Sequence, residues 1–234
     1  MEEQFSRSVC LFGEEGLKKL NNSKVAVFGL GGVGGYVVEA LARAGVGSID
    51  LVDGDRVALT NLNRQIFALH DTLNTLKCTV AHRRIKAINP HICANEHPFY
   101  FNSQTQDRFD FSAYDYVVDA IDDVQAKTLL AVCCKESGTP IISCMGTGNK
   151  LNPMGFKVAD IYSTNICPLA RVMRRELKAA GIEKLKVVYS EEPPAVAAMD
   201  ENGKRVPASV SFVPGAAGLL IASEVVKDLI NGKV

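Results

Sequence analysis

Val25-Ala-Val-Phe-Gly-Leu-Gly-Gly-Val-Gly34, read on through Asp53 to Asn61-Leu-Asn-Arg-Gln65, decides the fold. Residues 25–28 form a short apolar run that stops at a glycine, the pattern of a parallel strand buried on both faces. From Val33 the apolar positions Val37, Val38 and Leu41 fall at helical spacing, and Gly45 ends that helix. Strand, glycine loop and helix in this order make a phosphate cradle. Gly29 makes the tight turn, Gly31 lets the backbone approach a phosphate with Gly32 beside it, and Gly34 lets the helix pack closely on the sheet. The helix N-terminus favours an anion. Asp53 closes a second strand, residues 48–52, where a carboxylate can accept hydrogen bonds from a ribose.

The loop by itself does not separate NAD from ATP. Asn61, Arg64 and Gln65 do. A redox fold has no need of a guanidinium beside the pyrophosphate, whereas an ATP site offsets the charge that develops on the transferring phosphate groups with a fixed arginine. Lys77 supplies a second cation near the start of the next helix, and Asp55 belongs with Asp53 on the nucleotide side. Asp122, in Asp119-Ala-Ile-Asp-Asp123, lies just past a strand over residues 116–119, at the carboxyl edge where ligands gather in such sheets. One carboxylate there can hold Mg2+ together with waters and phosphate oxygens. Plainer roles compete: Lys77 as a solvated helix residue, Asp119 as the cap of the following helix.

Outward from this unit, strand and helix alternate at short intervals. Residues 1–23 read as a helical lead-in. A helix over 74–88 stops at Asn89-Pro90. Strands follow at 92–96, 116–119 and 140–144, with a helix over 124–136 between the last two. Residues 155–161 and 186–189 read as further strands, 167–180 as a helix, and the apolar run 213–226 as a buried helix too short to span a bilayer. The segment 190–207, rich in Pro, Glu and Ala, is expected to be mobile. The pattern predicts a single α/β domain with a Rossmann-like, doubly wound, mainly parallel sheet. Residues 1–146 would be its nucleotide-binding core and 147–234 an extension carrying substrate-binding elements.

The 26 basic and 26 acidic side chains balance, so no global field draws the chain to nucleic acid or membrane, and any such binding rests on a local patch. No charged-apolar-small leader opens the chain, which argues against secretion. The seven cysteines sit mostly in apolar surroundings, as reduced thiols of a cytoplasmic protein do, and none is spaced as Cys-x-x-Cys, so the paired motif of a structural zinc site is missing.

Phe5-Ser-Arg7, the glycine loop to Gly34, Asp53, Asn61-Leu-Asn-Arg-Gln65, Lys77 and Asp119-Ala-Ile-Asp122 together resemble the family that activates ubiquitin-like proteins by adenylation, the ThiF and MoeB activators among them. The resemblance implies that Arg7 reaches across a homodimer to the partner's phosphates. It also puts Asp53 on ribose, Asn61, Arg64 and Lys77 on the triphosphate, and Asp122 on magnesium. Asp123 departs from the family, which usually has Asn there. Residues 161–171, 186–193 and 209–215 look like the tRNA-modifying branch of this family, the threonylcarbamoyladenosine dehydratases, and the absent zinc pairs agree with that branch. The implied reaction adenylates the threonyl carboxylate of a modified adenosine beside the anticodon. The neighbouring carbamoyl group then closes a ring, with overall loss of water. The family also brings a monovalent cation, K+ or Na+, whose ligands cannot be assigned here, and a cysteine desulfurase or sulfur-acceptor protein as companions.

Residues 165–186 carry a local charge of +4. Arg171, Arg174, Arg175 and Lys178 fall on one helix face, a stripe able to contact tRNA phosphates or to stand as an ordinary solvated face. His82-Arg83-Arg84 is a weaker second patch. Cys167, opening a helix before Pro168, is an alternative covalent participant. Two other functions compete with the dehydratase. One is an adenylyltransferase for the C-terminal carboxylate of a small sulfur-carrier protein, which would use the same ATP site. The other is an NAD-dependent oxidoreductase or a nucleotide sensor, in which Arg64 would be incidental.

Overall fold

The computed structural model describes residues 3–195, 198–199 and 205–232. Along the chain run α1 (Ser6–Asn22, bent at Gly13), β1 (Lys24–Phe28), α2 (Gly34–Ala44), β2 (Ser48–Val52), α3 (Lys77–Ile88) and β3 (Cys93–His97). Then come β4 (Tyr116–Asp119), α4 (Val124–Ser137), β5 (Ile141–Cys144), β6 (Phe156–Asp160), α5 (Pro168–Ala179), β7 (Lys186–Ser190), β8 (Ala198–Met199), β9 (Arg205–Val206) and α6 (Phe212–Asn231). Seven strands join in the order β3-β2-β1-β4-β5-β7-β6, all parallel except β6, which pairs antiparallel with β7 at the edge. The doubly wound α/β fold read from the sequence is therefore the fold observed.

Alternation along β1 shows how the two faces are covered. Val25 and Val27 pack with Leu20 of α1, Val37 of α2, Ile85 of α3 and Ile221 of α6. Ala26 and Phe28 point the other way, into a cluster with Leu130 of α4, Phe101, Phe109 and Phe111. Helix α5 completes that second face through Met173 and Leu177, against Val187 of β7. The C-terminal helix is thus a structural neighbour of the nucleotide core. A Cβ on its Gly218 would meet the Val33 carbonyl oxygen at 2.4 Å, so α6 and the start of α2 touch backbone to backbone.

The chain leaves β1 toward β2 and β3, then crosses back to place β4 on the other side of β1. The crevice at this reversal is where ligands bind in open α/β sheets. Its far wall, residues 120–123, hangs from a buried ion pair. Lys127, fully buried on α4, lies 2.9 Å from Asp119 at the end of β4. Lys127 also donates to the Ile121 carbonyl at 3.1 Å, and Asp119 accepts from the Ile121 N–H at 3.1 Å and from the Ser143 hydroxyl at 2.5 Å.

Several expectations change. Asp119 is not the cap of α4; Asp123 is, its carboxylate accepting from the Ala126 N–H at 2.8 Å, while Asp119 is committed to Lys127. Helix α3 begins at Lys77 and not at 74, because Asn74 takes a left-handed turn (φ 63°) and donates to the Val57 carbonyl. Of the segment 190–207 expected to be mobile, residues 196–197 and 200–204 lie outside the described residues, and β8 and β9 pair within the remainder. No helix among the described residues is long and apolar enough to cross a membrane.

Lys127→Met leaves Asp119 buried without a counter-charge and should cost about 3–5 kcal/mol in urea unfolding. Adding Asp119→Leu should restore most of that loss, since the uncompensated charge goes with it.

Candidate active site

A cavity of about 860 Å³ lies at the strand-order reversal, a volume within the usual ligand-site range of roughly 300–1,000 Å³. It is lined by Gly29, Gly31, Gly32, Asp53, Asp55, Asn61, Arg64, Gln65, Lys77 and Asp122, which sequence spacing had picked out, and by several residues it had not. Gly29 and Gly34 show why the loop is glycine-rich. Gly29 has φ +89°, and a Cβ there would come 2.6 Å from the Ala120 carbonyl oxygen. A Cβ on Gly34, which stands outside the lining, would overlap the Gly29 oxygen at 1.8 Å. At Gly31 the nearest atom to an added Cβ is Gln65 Nε2 at 3.7 Å, so the loop is open on its cavity side.

The acidic residues after β2 do two jobs. Asp53 accepts from the Leu30 N–H at 2.7 Å and the Asp55 N–H at 2.8 Å, tying the glycine loop to the end of β2. Asp55 accepts from Lys77 Nζ at 2.7 Å and from the Tyr100 hydroxyl. Lys77 is no solvated helix residue: it is 5% exposed and its ammonium lies 3.6 Å from Asp53 as well. Burial by itself would raise the Asp55 carboxyl. Hydrogen bonds from Lys77 and Tyr100, with the Lys77 charge, outweigh it and hold the group below its ordinary 3.8.

Across the cavity Asp122 is exposed and makes no hydrogen bond or ion pair among the described residues. Arg64 is half-buried, its guanidinium donating to the Thr60 carbonyl at 2.9 Å and the Asn63 side chain at 2.8 Å. The Asn61 side chain accepts from the Ala58 N–H at 3.1 Å, shaping the turn that presents Arg64. Among the described residues no three His, Cys, Asp or Glu side chains converge as a metal cage. A lone carboxylate facing a phosphate cradle is instead the donor set that Mg2+ accepts, because that ion keeps several waters and binds substrate phosphates.

Other expected residues stand apart. Arg7 is exposed on the first turn of α1, outside the cavity lining. Cys167 is 2% exposed at the start of α5 and does not line the cavity. The basic stripe on α5 is less uniform than its spacing suggested. Arg174 is half-buried and donates to the Thr164 carbonyl and hydroxyl at 2.9 and 2.5 Å, so it braces the turn before α5. Arg175 pairs with Glu176 at 2.7 Å. Arg171 and Lys178 are exposed and make no ion pair among the described residues. The second basic patch is dispersed, Arg84 being engaged by Glu39 and His82 by Glu96. Sequence reasoning missed Phe99, Tyr100, Phe101, Asn102 and Ser103 after β3, and Ser209 and Pro214 from the far end of the chain. The run Phe99-Tyr-Phe101 at a strand's carboxyl end was the available signal; the stretch 209–215 stood out only by its resemblance to the tRNA-modifying branch, and nothing in it pointed to the cavity.

A Rossmann-like sheet with a glycine cradle, Arg64, Lys77 and an unpaired carboxylate in one crevice defines a nucleotide-binding α/β protein equipped to handle phosphates. The chain belongs to the ThiF family, whose sequence profile matches residues 5–233. It is 41% identical over 244 aligned positions to the tRNA threonylcarbamoyladenosine dehydratase of Bacillus subtilis (strain 168), covering 99% of this chain and 96% of that protein. The solved structure of the E. coli tRNA N6-threonylcarbamoyladenosine dehydratase, TcdA, in complex with AMP superposes with a TM-score of 0.91 at 31% identity, covering 98% of this chain and 94% of that one. The adenylyltransferase and sulfurtransferase UBA4 of Vanderwaltozyma polyspora is 40% identical over 152 residues, 62% of this chain but only 34% of its own length.

Because the Asp55 carboxyl is held below 3.8, the stability it contributes is full above that pH and is lost as the pH falls through its folded value. Asp55→Asn should flatten the fall of the urea midpoint below pH 3.8. An acid limb of unchanged steepness would show that Asp55 does not contribute to it.

Proposed function

We propose that the protein is an ATP-dependent tRNA threonylcarbamoyladenosine dehydratase. The observation that carries this reading is one cavity holding a glycine cradle, Arg64, Lys77 and Asp122, in a chain similar from end to end to dehydratases of that name. A carboxylate is a poor electrophile. The threonyl carboxylate attacks the α-phosphorus of ATP, a P–O bond forms, and pyrophosphate leaves with the electrons of the bond it breaks. The activated carbonyl is then attacked by the adjacent carbamoyl group, which loses a proton, and AMP departs with the former carboxylate oxygen. The sum is loss of one water from the nucleoside. Ring closure is intramolecular, so proximity lowers much of its barrier and no enzyme nucleophile is needed. That agrees with the burial of Cys167 away from the cavity.

In this reading Asp53 holds the ribose, and Arg64, Asn61 and Lys77 hold the triphosphate, with Gln65 packed beneath the loop. Asp122 would hold Mg2+, which supplies neutralising charge at the phosphates. Residues 147–234 carry the substrate side, Ser209 and Pro214 reaching the cavity while Arg171 and Lys178 meet tRNA phosphates. Arg7, exposed and outside its own cavity, completes the site of a partner in a homodimer. A tRNA substrate puts the reaction in the cytoplasm. A monovalent cation and sulfur-acceptor companions belong to the same reading, with no ligands or contact residues assigned to them. The alternative, activation of a sulfur carrier's C-terminal carboxylate, draws on the partial likeness to UBA4, which covers 62% of this chain.

Incubation with ATP, magnesium and tRNA bearing threonylcarbamoyladenosine, followed by nucleoside mass spectrometry, should show loss of one water. Pyrophosphate exchange stimulated by a carrier protein, without that loss, supports the alternative. Arg64→Ala should reduce turnover by at least about 100-fold, as removal of a transition-state donor does, with the fold intact. Arg171→Ala with Lys178→Ala should weaken tRNA binding and lower the slope of log K against log salt by about 1–2. The Arg174→Ala variant should instead lose thermal stability, because its contacts are with Thr164.

A further inference from the structure

Tyr100 is 62% exposed at the cavity rim, yet it is held firmly. Its ring lies on Gly54, where an added Cβ would come 2.9 Å from the ring carbons, so the residue between Asp53 and Asp55 must lack a side chain for the ring to sit there. The flanking aromatics are engaged elsewhere: Phe101 packs edge-on against Phe28 with centroids 5.0 Å apart, and Phe99 packs against Phe109. The Thr105 hydroxyl donates to the Tyr100 carbonyl at 2.9 Å and closes the turn. This frame delivers the phenol to one oxygen of Asp55, while Lys77 occupies the other at 2.7 Å.

The Lys77 ammonium faces two carboxylates, Asp55 at 2.7 Å and Asp53 at 3.6 Å, and a cation so outnumbered is drawn away from an incoming polyphosphate. A neutral hydroxyl on Asp55 takes part of that carboxylate's hydrogen-bonding capacity and fixes its plane. The bond to Asp55 and the charge of Asp55 push the phenol up to about 12, so it remains a donor at neutral pH.

We propose that Tyr100 is a positioning residue of the nucleotide site: its hydroxyl fixes the plane of Asp55, whose other oxygen holds the Lys77 ammonium, so that Lys77 is aimed at the β- and γ-phosphates of ATP. The inference rests on the assignment of Lys77 to the triphosphate. Tyr100→Phe keeps the ring on Gly54 and removes only the hydroxyl. It should weaken ATP binding by roughly three- to tenfold, the equivalent of one net hydrogen bond, and raise KM for ATP with kcat nearly unchanged. AMP lacks the β- and γ-phosphates, so its affinity should change less than twofold, which also reports that the site is folded. In a Lys77→Met chain the Tyr100→Phe change should have no further effect on ATP affinity. Equal weakening of ATP and AMP, or additive losses in the double variant, would overturn the proposal. If Lys77→Met leaves ATP affinity untouched, the assignment of Lys77 fails and this inference with it. If Lys77→Met weakens ATP while Tyr100→Phe does not, only the role of Tyr100 falls. The ATP and AMP affinities and the double-variant comparison are binding measurements, independent of whether the tRNA reaction is observed.

Discussion

The ion pair between Asp119 and Lys127 is the constraint on which the site depends. Both groups are almost wholly buried, so each needs the other to offset the cost of leaving water, and each also satisfies a backbone group of Ile121. The loop 120–123 is thereby fastened at the end of β4, 2.6 Å from where a Cβ on Gly29 would be. Asp122 reaches the cavity as a consequence, and Asp123 is left free to cap α4. Asp123 therefore has a structural task that an Asn could also perform, since both side chains accept from a helix N–H.

The opposite wall is organised by charge as well. Asp53 spends two oxygens on the N–H groups of Leu30 and Asp55, which fastens the glycine loop to β2. Asp55 and Lys77 then balance one another at the cavity floor. A site built in this way offers a polyphosphate a glycine-lined cradle, Lys77 held by carboxylates and Arg64 held by neutral oxygens, and in the proposed reading it leaves the acceptor carboxylate to be selected elsewhere. The same nucleotide wall can thus serve dehydration of a nucleoside or adenylation of a protein tail. In the proposed reading, what distinguishes them is the surface supplied by residues beyond β5, where α5, α6 and the segment carrying Ser209 lie.

Much of this was legible in the chain. The apolar run before Gly29, the helical spacing after Val33 and the repeated return of short strands specify a doubly wound sheet, because a parallel strand must be apolar on both faces and a crossover helix on one. The cradle glycines, Arg64, Lys77 and Asp122 stood out by residue type at fixed offsets from strand ends. Other features did not, and for definite reasons. Asp119 and Asp123 are both good caps in sequence, and only the burial of Lys127 decides between them. Arg174 shares a helix face with three other cations, but Thr164 lies within its reach and takes it out of the stripe.

Taken alone, then, the sequence determined the fold class, the strand ends at which chemistry could occur and the kind of charge placed there, because these follow from local periodicity and side-chain type. The tertiary structure decided which of those charges are available. Lys77 is bound to Asp55, Arg175 to Glu176 and Lys186 to Glu224 and Asp228, while Asp122 stands open to the cavity. It also brought Tyr100 over Gly54, and Pro214 beside Gly32, from segments far from the glycine loop. Pairing and burial depend on distances between residues remote in the chain, and no local pattern encodes those.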